Sequence, residues 1–81
     1  MLVPLYGFLE GDTLGVVLLV DDRDTIEHVA ATLQRATAMR VAPRDNVTVL
    51  ARGKPLDPRT TVAAAGLTMF DRIDVVAAEA P

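Results

Sequence analysis

At 81 residues the chain has room for one small domain, near the lower end of what folds unaided. It contains no cysteine, which excludes disulfides and thiolate metal sites, and its net charge of -3 argues against general nucleic-acid binding. The longest apolar run, Val16–Val20, is too short to cross a bilayer, and no basic segment leads into a hydrophobic run at the start, so we expect a cytoplasmic protein.

Leu2–Leu9 (LVPLYGFL) reads as a strand, with Pro4 suiting an edge or a strand start. Glu10-Gly11-Asp12-Thr13 is a hairpin loop, and Leu14–Val20 (LGVVLLV) is a second strand rich in β-branched residues. Asp24–Arg40 carries the chain's one long helical period. Ile26, Val29, Ala30, Leu33, Ala36 and Thr37 fall three or four apart on one face, and Asp24 with Glu27 has capping-box spacing. Pro43 ends the helix region, and Asp45-Asn46 is turn chemistry.

Val47–Ala51 is a third strand, turned by Arg52-Gly53 into a short Lys54-Pro55-Leu56 strand with Leu56 as a core anchor. Thr60–Ala65 reads as a helical turn ended by Gly66, after which Leu67 packs inward. Ile73–Ala77 is the last strand. The whole is one domain over residues 1–81, with 77–81 expected as a frayed tail. The order implies an α+β fold of the β-grasp kind: a mixed four- to five-stranded sheet, first and last strands central, with one main helix on one face.

Two features suggest a binding rather than a catalytic chain. Charge is uneven: Glu10, Asp12, Asp21, Asp22, Asp24 and Glu27 precede a basic middle with Arg40, Arg44, Arg52, Lys54 and Arg59. Solvated loops account for most such charge, while Arg40 and Arg44 remain candidates for docking on an acidic partner. Strand phase then puts Val17, Leu19, Leu50 and Val76 on the face that the helix leaves open, where alternation should place polar residues. Burying four such side chains would contribute on the order of 6 kcal/mol before association costs.

Catalytic constellations are not evident. His28 lies beside the apolar stripe without companion ligands and reads as a solvent-side residue. Asp21/Asp22 and Asp71/Asp74 lie at strand ends without a partner His and read as turn residues. No nucleophile elbow, P-loop or nucleotide fingerprint is present, and Tyr6, Phe8 and Phe70 are too few for base stacking.

Asp24-Thr25-Ile26-Glu27, Gly53-Lys54, Leu56, Arg59-Thr60 and Ile73–Val76 resemble ubiquitin across nearly the whole chain, which implies a ubiquitin-like fold. Leu50 and Val76 match ubiquitin's apolar patch by position. The sequence closes on Ala77-Ala78-Glu79-Ala80-Pro81 rather than Gly-Gly, and Lys54 is its single lysine, so a protein-modifier role is not expected. The chain more closely resembles the gamma (B) subunit of the hydroxylase of bacterial multicomponent toluene and alkene monooxygenases. That similarity runs from Pro4 to Val76 and rests on Glu10, Asp12, Leu14, Val20-Asp21, Asp24, Val29-Ala30, Pro58-Arg59, Gly66-Leu67 and Ile73–Val76. Its most specific piece is the loop Arg40-Val41-Ala42-Pro43-Arg44, an order that β-grasp geometry does not require. The helix end and the loop around Gly53 are shorter than in that family.

The resemblance implies a non-catalytic subunit that docks on and stabilises a large alpha subunit in an alpha2 beta2 gamma2 assembly with a beta subunit. The di-iron centre would lie in alpha, held by Glu-x-x-His pairs in a four-helix bundle, with no cofactor in this chain. A ubiquitin-like group from bacterial type VII secretion systems shares a proline-arginine after the helix, and a free adaptor of that kind is the alternative.

Overall fold

The structure is a computed structural model that describes residues 1–78. β1 (Leu2–Leu9) and β2 (Gly15–Asp21) form an antiparallel hairpin with Leu5 opposite Leu18. The helix α1 spans Ile26–Ala36 and buries Ile26, Val29, Ala30 and Leu33 against the sheet. β3 (Val47–Ala51) turns into β4 (Lys54–Pro55) through Arg52 and Gly53, whose positive φ angles of 55° and 75° make the two-residue turn that matches strand twist. β5 (Arg72–Ala77) runs parallel to β1 and antiparallel to β3, which gives one five-stranded mixed sheet in the order β2-β1-β5-β3-β4.

The core lies between α1 and one face of that sheet. Leu5, Ile73 and Val75 from the sheet and Ile26 and Leu33 from the helix are fully buried. Val62 and Leu67 close the core from the helical turn before β5, which Gly66 ends at φ +76°. Side-chain phase is as expected: Leu18 and Val20 on β2, Val49 on β3, and Ile73 and Val75 on β5 point inward.

Four local expectations are corrected. Thr25, not Asp24, is the N-cap: its Oγ1 accepts from the His28 N–H at 3.1 Å. Asp24 turns back instead, and its Oδ2 accepts from the Asp21 N–H at 3.0 Å. The first-turn N–H groups of Ile26 and Glu27 donate to the carbonyls of Thr60 and Pro58 at 2.8 and 2.9 Å, so the 57–61 loop does work expected of a capping box.

The helix ends at Ala36, before Arg40, with Thr37 as its C-cap. Ala36 is exposed, and Gln34 takes an inward position because the returning 40–46 segment covers that side of the last turn. Pro4 sits neither at an edge nor first in its strand: it is the third residue of β1, inside the sheet, ahead of the stretch that pairs with β5. Alternate backbone groups of β1 face β5, and β5 begins opposite Tyr6, so no ladder donor is missing at Pro4. Finally, Ala77 and Ala78 are tied in rather than frayed: their N–H groups donate to Glu10 Oε1 at 3.0 Å and to the Asn46 carbonyl at 3.1 Å. The rest of the expected tail, 79–81, lies outside the described residues.

Candidate interface

The open face of the sheet carries the outward residues of every strand. Registered pairs place Pro4 beside Leu19, Tyr6 beside Val17 and Phe8 beside Gly15. Phe70 joins them from the loop before β5. Its N–H donates to the Pro4 carbonyl at 2.6 Å, and its ring lies 5.5 Å from that of Tyr6, tilted by 34°. Phe70 reaches this position with φ at +62°, a left-handed conformation that a bulky side chain rarely adopts. The result is a contiguous apolar patch in which Leu2 (61%), Tyr6 (42%), Val17 (55%), Leu19 (63%) and Phe70 (50%) all keep much of their surface in solvent.

Leu50 and Val76 do not belong to that patch. Both are half-buried, Leu50 opposite Asp74 and Val76 opposite Thr48. The sheet order puts β1 and β5 between β2 and β3, so the four side chains expected to cluster form two separate pairs. A polar bar divides them. Arg72 bonds Asp74 through Nη2 at 2.9 Å and stacks its guanidinium 4.1 Å over the Phe8 ring. The same ring covers the backbone of Gly15, where a Cβ would sit 2.6 Å from a Phe8 ring carbon.

Arg40 and Arg44 lie at the loop end of the molecule and make internal contacts. Arg40 grips Asp12 with Nε and Nη2, and Arg44 Nη1 donates to the Glu10 carbonyl at 3.2 Å. Gln34 anchors the same loop. Its Nε2 donates to the Arg44 carbonyl at 3.1 Å, and its Oε1 accepts from the Arg44 N–H at 2.7 Å.

The carboxylate pairs at the strand ends are engaged in local hydrogen bonds. Asp21 accepts from the Arg23 N–H and then its guanidinium, which together hold the Asp21 carboxyl far below the usual range. Asp71 caps Thr68 through its N–H and hydroxyl, and Asp74 is held by Arg72. Among the described residues, no three His, Cys, Asp or Glu side chains converge as metal ligands. His28 is exposed on the helix. No helix among the described residues is long and apolar enough to cross a membrane.

Leu2, Tyr6 and Phe70 were not legible as interface residues. β1 is apolar in both phases, so alternation gives no signal there, and Phe70 depends on a loop conformation that its residue type disfavours.

A mixed sheet with central parallel β1 and β5, crossed by one helix, defines a ubiquitin-like β-grasp domain. Its chain path matches ubiquitin of Caldiarchaeum subterraneum at a TM-score of 0.76 and 17% identity, covering 99% of this chain and 98% of that one. A chain from a structure of SUMO mimicry matches at 0.76 and 19% identity, covering 93% and 90%. Within this class the chain belongs to the family of toluene-4-monooxygenase system protein B (TmoB), whose model matches residues 2–76. Consistently, it superposes on a chain of the toluene 4-monooxygenase HD complex with the inhibitor 4-bromobenzoate at a TM-score of 0.89 and 28% identity, covering 96% of this chain and 100% of that one. No curated protein matches the sequence.

Proposed function

We propose that this chain is the non-catalytic gamma subunit of the hydroxylase component of a multicomponent di-iron monooxygenase. It docks on the large alpha subunit and stabilises it, in an alpha2 beta2 gamma2 type of assembly that hydroxylates or epoxidises aromatic or alkene substrates. Family membership supports the setting. The observation that carries the docking role is the patch of Leu2, Tyr6, Val17, Leu19 and Phe70, an apolar surface on a sheet face that no part of the described chain covers.

The di-iron centre belongs to the alpha subunit in this reading. This chain contributes no ligand, since its one histidine is isolated on the helix surface. Leu50 and Val76 offer a second, smaller contact, and the Arg40–Arg44 loop shapes the end of the molecule rather than leading the docking.

Co-expression with the large subunits tests the proposal. The chain should co-purify with them, and leaving it out should lower the yield and thermal stability of the hydroxylase. A hydroxylase that assembles complete and active without it overturns the reading. A chain that stays monomeric beside those subunits points to the free adaptor instead.

A further inference from the structure

β2 is an edge strand with nothing beside it on its outer side among the described residues. Backbone parity shows which groups are left over. The Pro4 carbonyl accepts from Phe70 and the Tyr6 N–H donates to the Asp71 carbonyl, so the even-numbered residues of β1 turn their backbone away from β2. Val3, Leu5 and Gly7 therefore bond with Val20, Leu18 and Val16, and Gly15, Val17 and Leu19 direct their N–H and C=O groups outward. Asp21, next in that outward set, is closed off by Asp24, which supplies Oδ2 to its N–H and an N–H to its carbonyl. At the other end Asp12 Oδ1 takes the Leu14 N–H. Between these two stops the edge has no hydrogen-bond partner among the described residues.

Such an edge is a template for another strand, and proteins usually guard it with a charge, a proline or a bulge. Gly15–Val20 contains no charged residue or proline, and its pairing with β1 is continuous in register, without a bulge. The outward side chains at the same edge, Val17 and Leu19, belong to the exposed apolar patch, so edge and patch form one surface.

We infer that a partner strand pairs with the outer edge of β2, extending this sheet across the subunit boundary. The inference rests on the hydroxylase-subunit reading, and the occupant is an extended, uncharged segment of the large subunit rich in β-branched or aromatic residues. Alternate side chains of that segment continue the patch beyond Val17 and Leu19. Asp21, Asp22 and Asp24 outnumber Arg23 and the terminal amine that pair with Asp21 and Asp22, so the far end of the edge keeps a negative excess that a Lys or Arg just past the paired stretch would match. A second copy of this chain fits poorly. Antiparallel pairing about Val17 would bring Asp24 of each copy against Glu10 of the other, with Asp12 already taken by Arg40, so neither end gains a cation to match its negative excess.

The test separates edge from face in the intact complex of full-length subunits. Val17→Pro keeps an apolar side chain in the patch and removes an outward N–H, so β2 retains its ladder to β1. It should lower co-purification with the large subunit by about tenfold or more. The amides of Val17 and Leu19 should also exchange at least about tenfold more slowly in the wild-type complex than in the free chain. Should Val17→Pro misfold by circular dichroism, the wild-type exchange measurement decides alone. Unchanged amide exchange on complex formation overturns the inference while leaving face docking intact, as does a folded Val17→Pro chain that binds normally. Protection that appears in the isolated chain and rises with its own concentration overturns it in favour of a second copy. Failure of the wild-type chain to co-purify overturns both this inference and the function it rests on.

Discussion

Arg40 closes on Asp12 with two nitrogens. Nε lies 3.0 Å from each carboxylate oxygen and Nη2 lies 2.9 Å from Oδ2. The Asp12 side chain is only 2% exposed, while that of Arg40 keeps 41% of its surface in solvent. The pair joins the β1–β2 loop to the segment that leaves the helix. A nearly covered carboxylate and a reach of 28 residues along the chain distinguish it from the other ion pairs among the described residues, which tie residues two positions apart or hold the terminal amine.

That geometry sets a pH dependence. The Arg40 hydrogen bond, followed by the Leu14 N–H, holds the Asp12 carboxyl below the usual carboxylate range. A depressed folded-state value means that the contribution is present above the unfolded value of about 4 and is lost as pH falls through the folded value. Asp12→Asn should therefore be less stable than wild type at neutral pH, and the gap in melting temperature should narrow below about pH 4. Asp21 and Asp57 are shifted the same way, so the wild-type minus variant difference is the quantity to follow. Arg40→Met should remove the same pH-dependent part, and a double variant should add little to either single one.

Gln34 makes a second, neutral clamp on the same loop. Replacing it with Leu leaves the N–H and carbonyl of Arg44 without their partner in a part-buried site. The expected cost is about 1–3 kcal/mol in urea unfolding. Faster amide exchange over residues 40–46, with the β1–β2 hairpin unaffected, would locate the damage.

The helix start gives a third test. Thr25→Ala removes the hydroxyl that accepts from His28 and should cost about 1 kcal/mol. Glu27→Ala should cost less than about 0.5 kcal/mol, because Glu27 is exposed and its side chain makes no capping bond. Equal costs at the two positions would restore the capping box that the spacing of Asp24 and Glu27 suggests.

What could be read from the sequence follows from this contrast. The inward faces of β2, β3 and β5 were legible because each strand has one wholly apolar phase, while the other phase also carries small or polar residues: Gly15 and Asp21, Thr48, and Arg72 and Asp74. The helix was legible from its period, but its cap was not. Asp24, Thr25 and Glu27 all have capping chemistry, and only the position of the 57–61 loop decides among them. The Arg40-Val41-Ala42-Pro43-Arg44 loop announced the family, yet its work inside the molecule depends on Asp12, Glu10 and Gln34, which are distant in sequence. The open face was legible as apolar through Val17 and Leu19. Its true extent was hidden because Leu2, Pro4, Tyr6 and Phe8 alternate with equally apolar neighbours, and because two strands separate β2 from Leu50.

Phe70 offers the sharpest separation of stability from docking. Its left-handed backbone costs about 1–3 kcal/mol, and half of the residue's surface remains in solvent. Phe70→Gly removes the strain, loses the contact with Tyr6 and adds freedom to the unfolded chain, and these effects oppose one another. The isolated chain should therefore change in stability by no more than about 1 kcal/mol in urea unfolding. Co-purification with the large subunit should nevertheless fall, as it should for Leu19→Asp, while Leu50→Asp, across the Arg72–Asp74 bar, should fall less. If Phe70→Gly and Leu19→Asp both bind the large subunit as wild type does, the patch of Leu2, Tyr6, Val17, Leu19 and Phe70 is not the docking surface, and the contact must be sought around Leu50 and Val76.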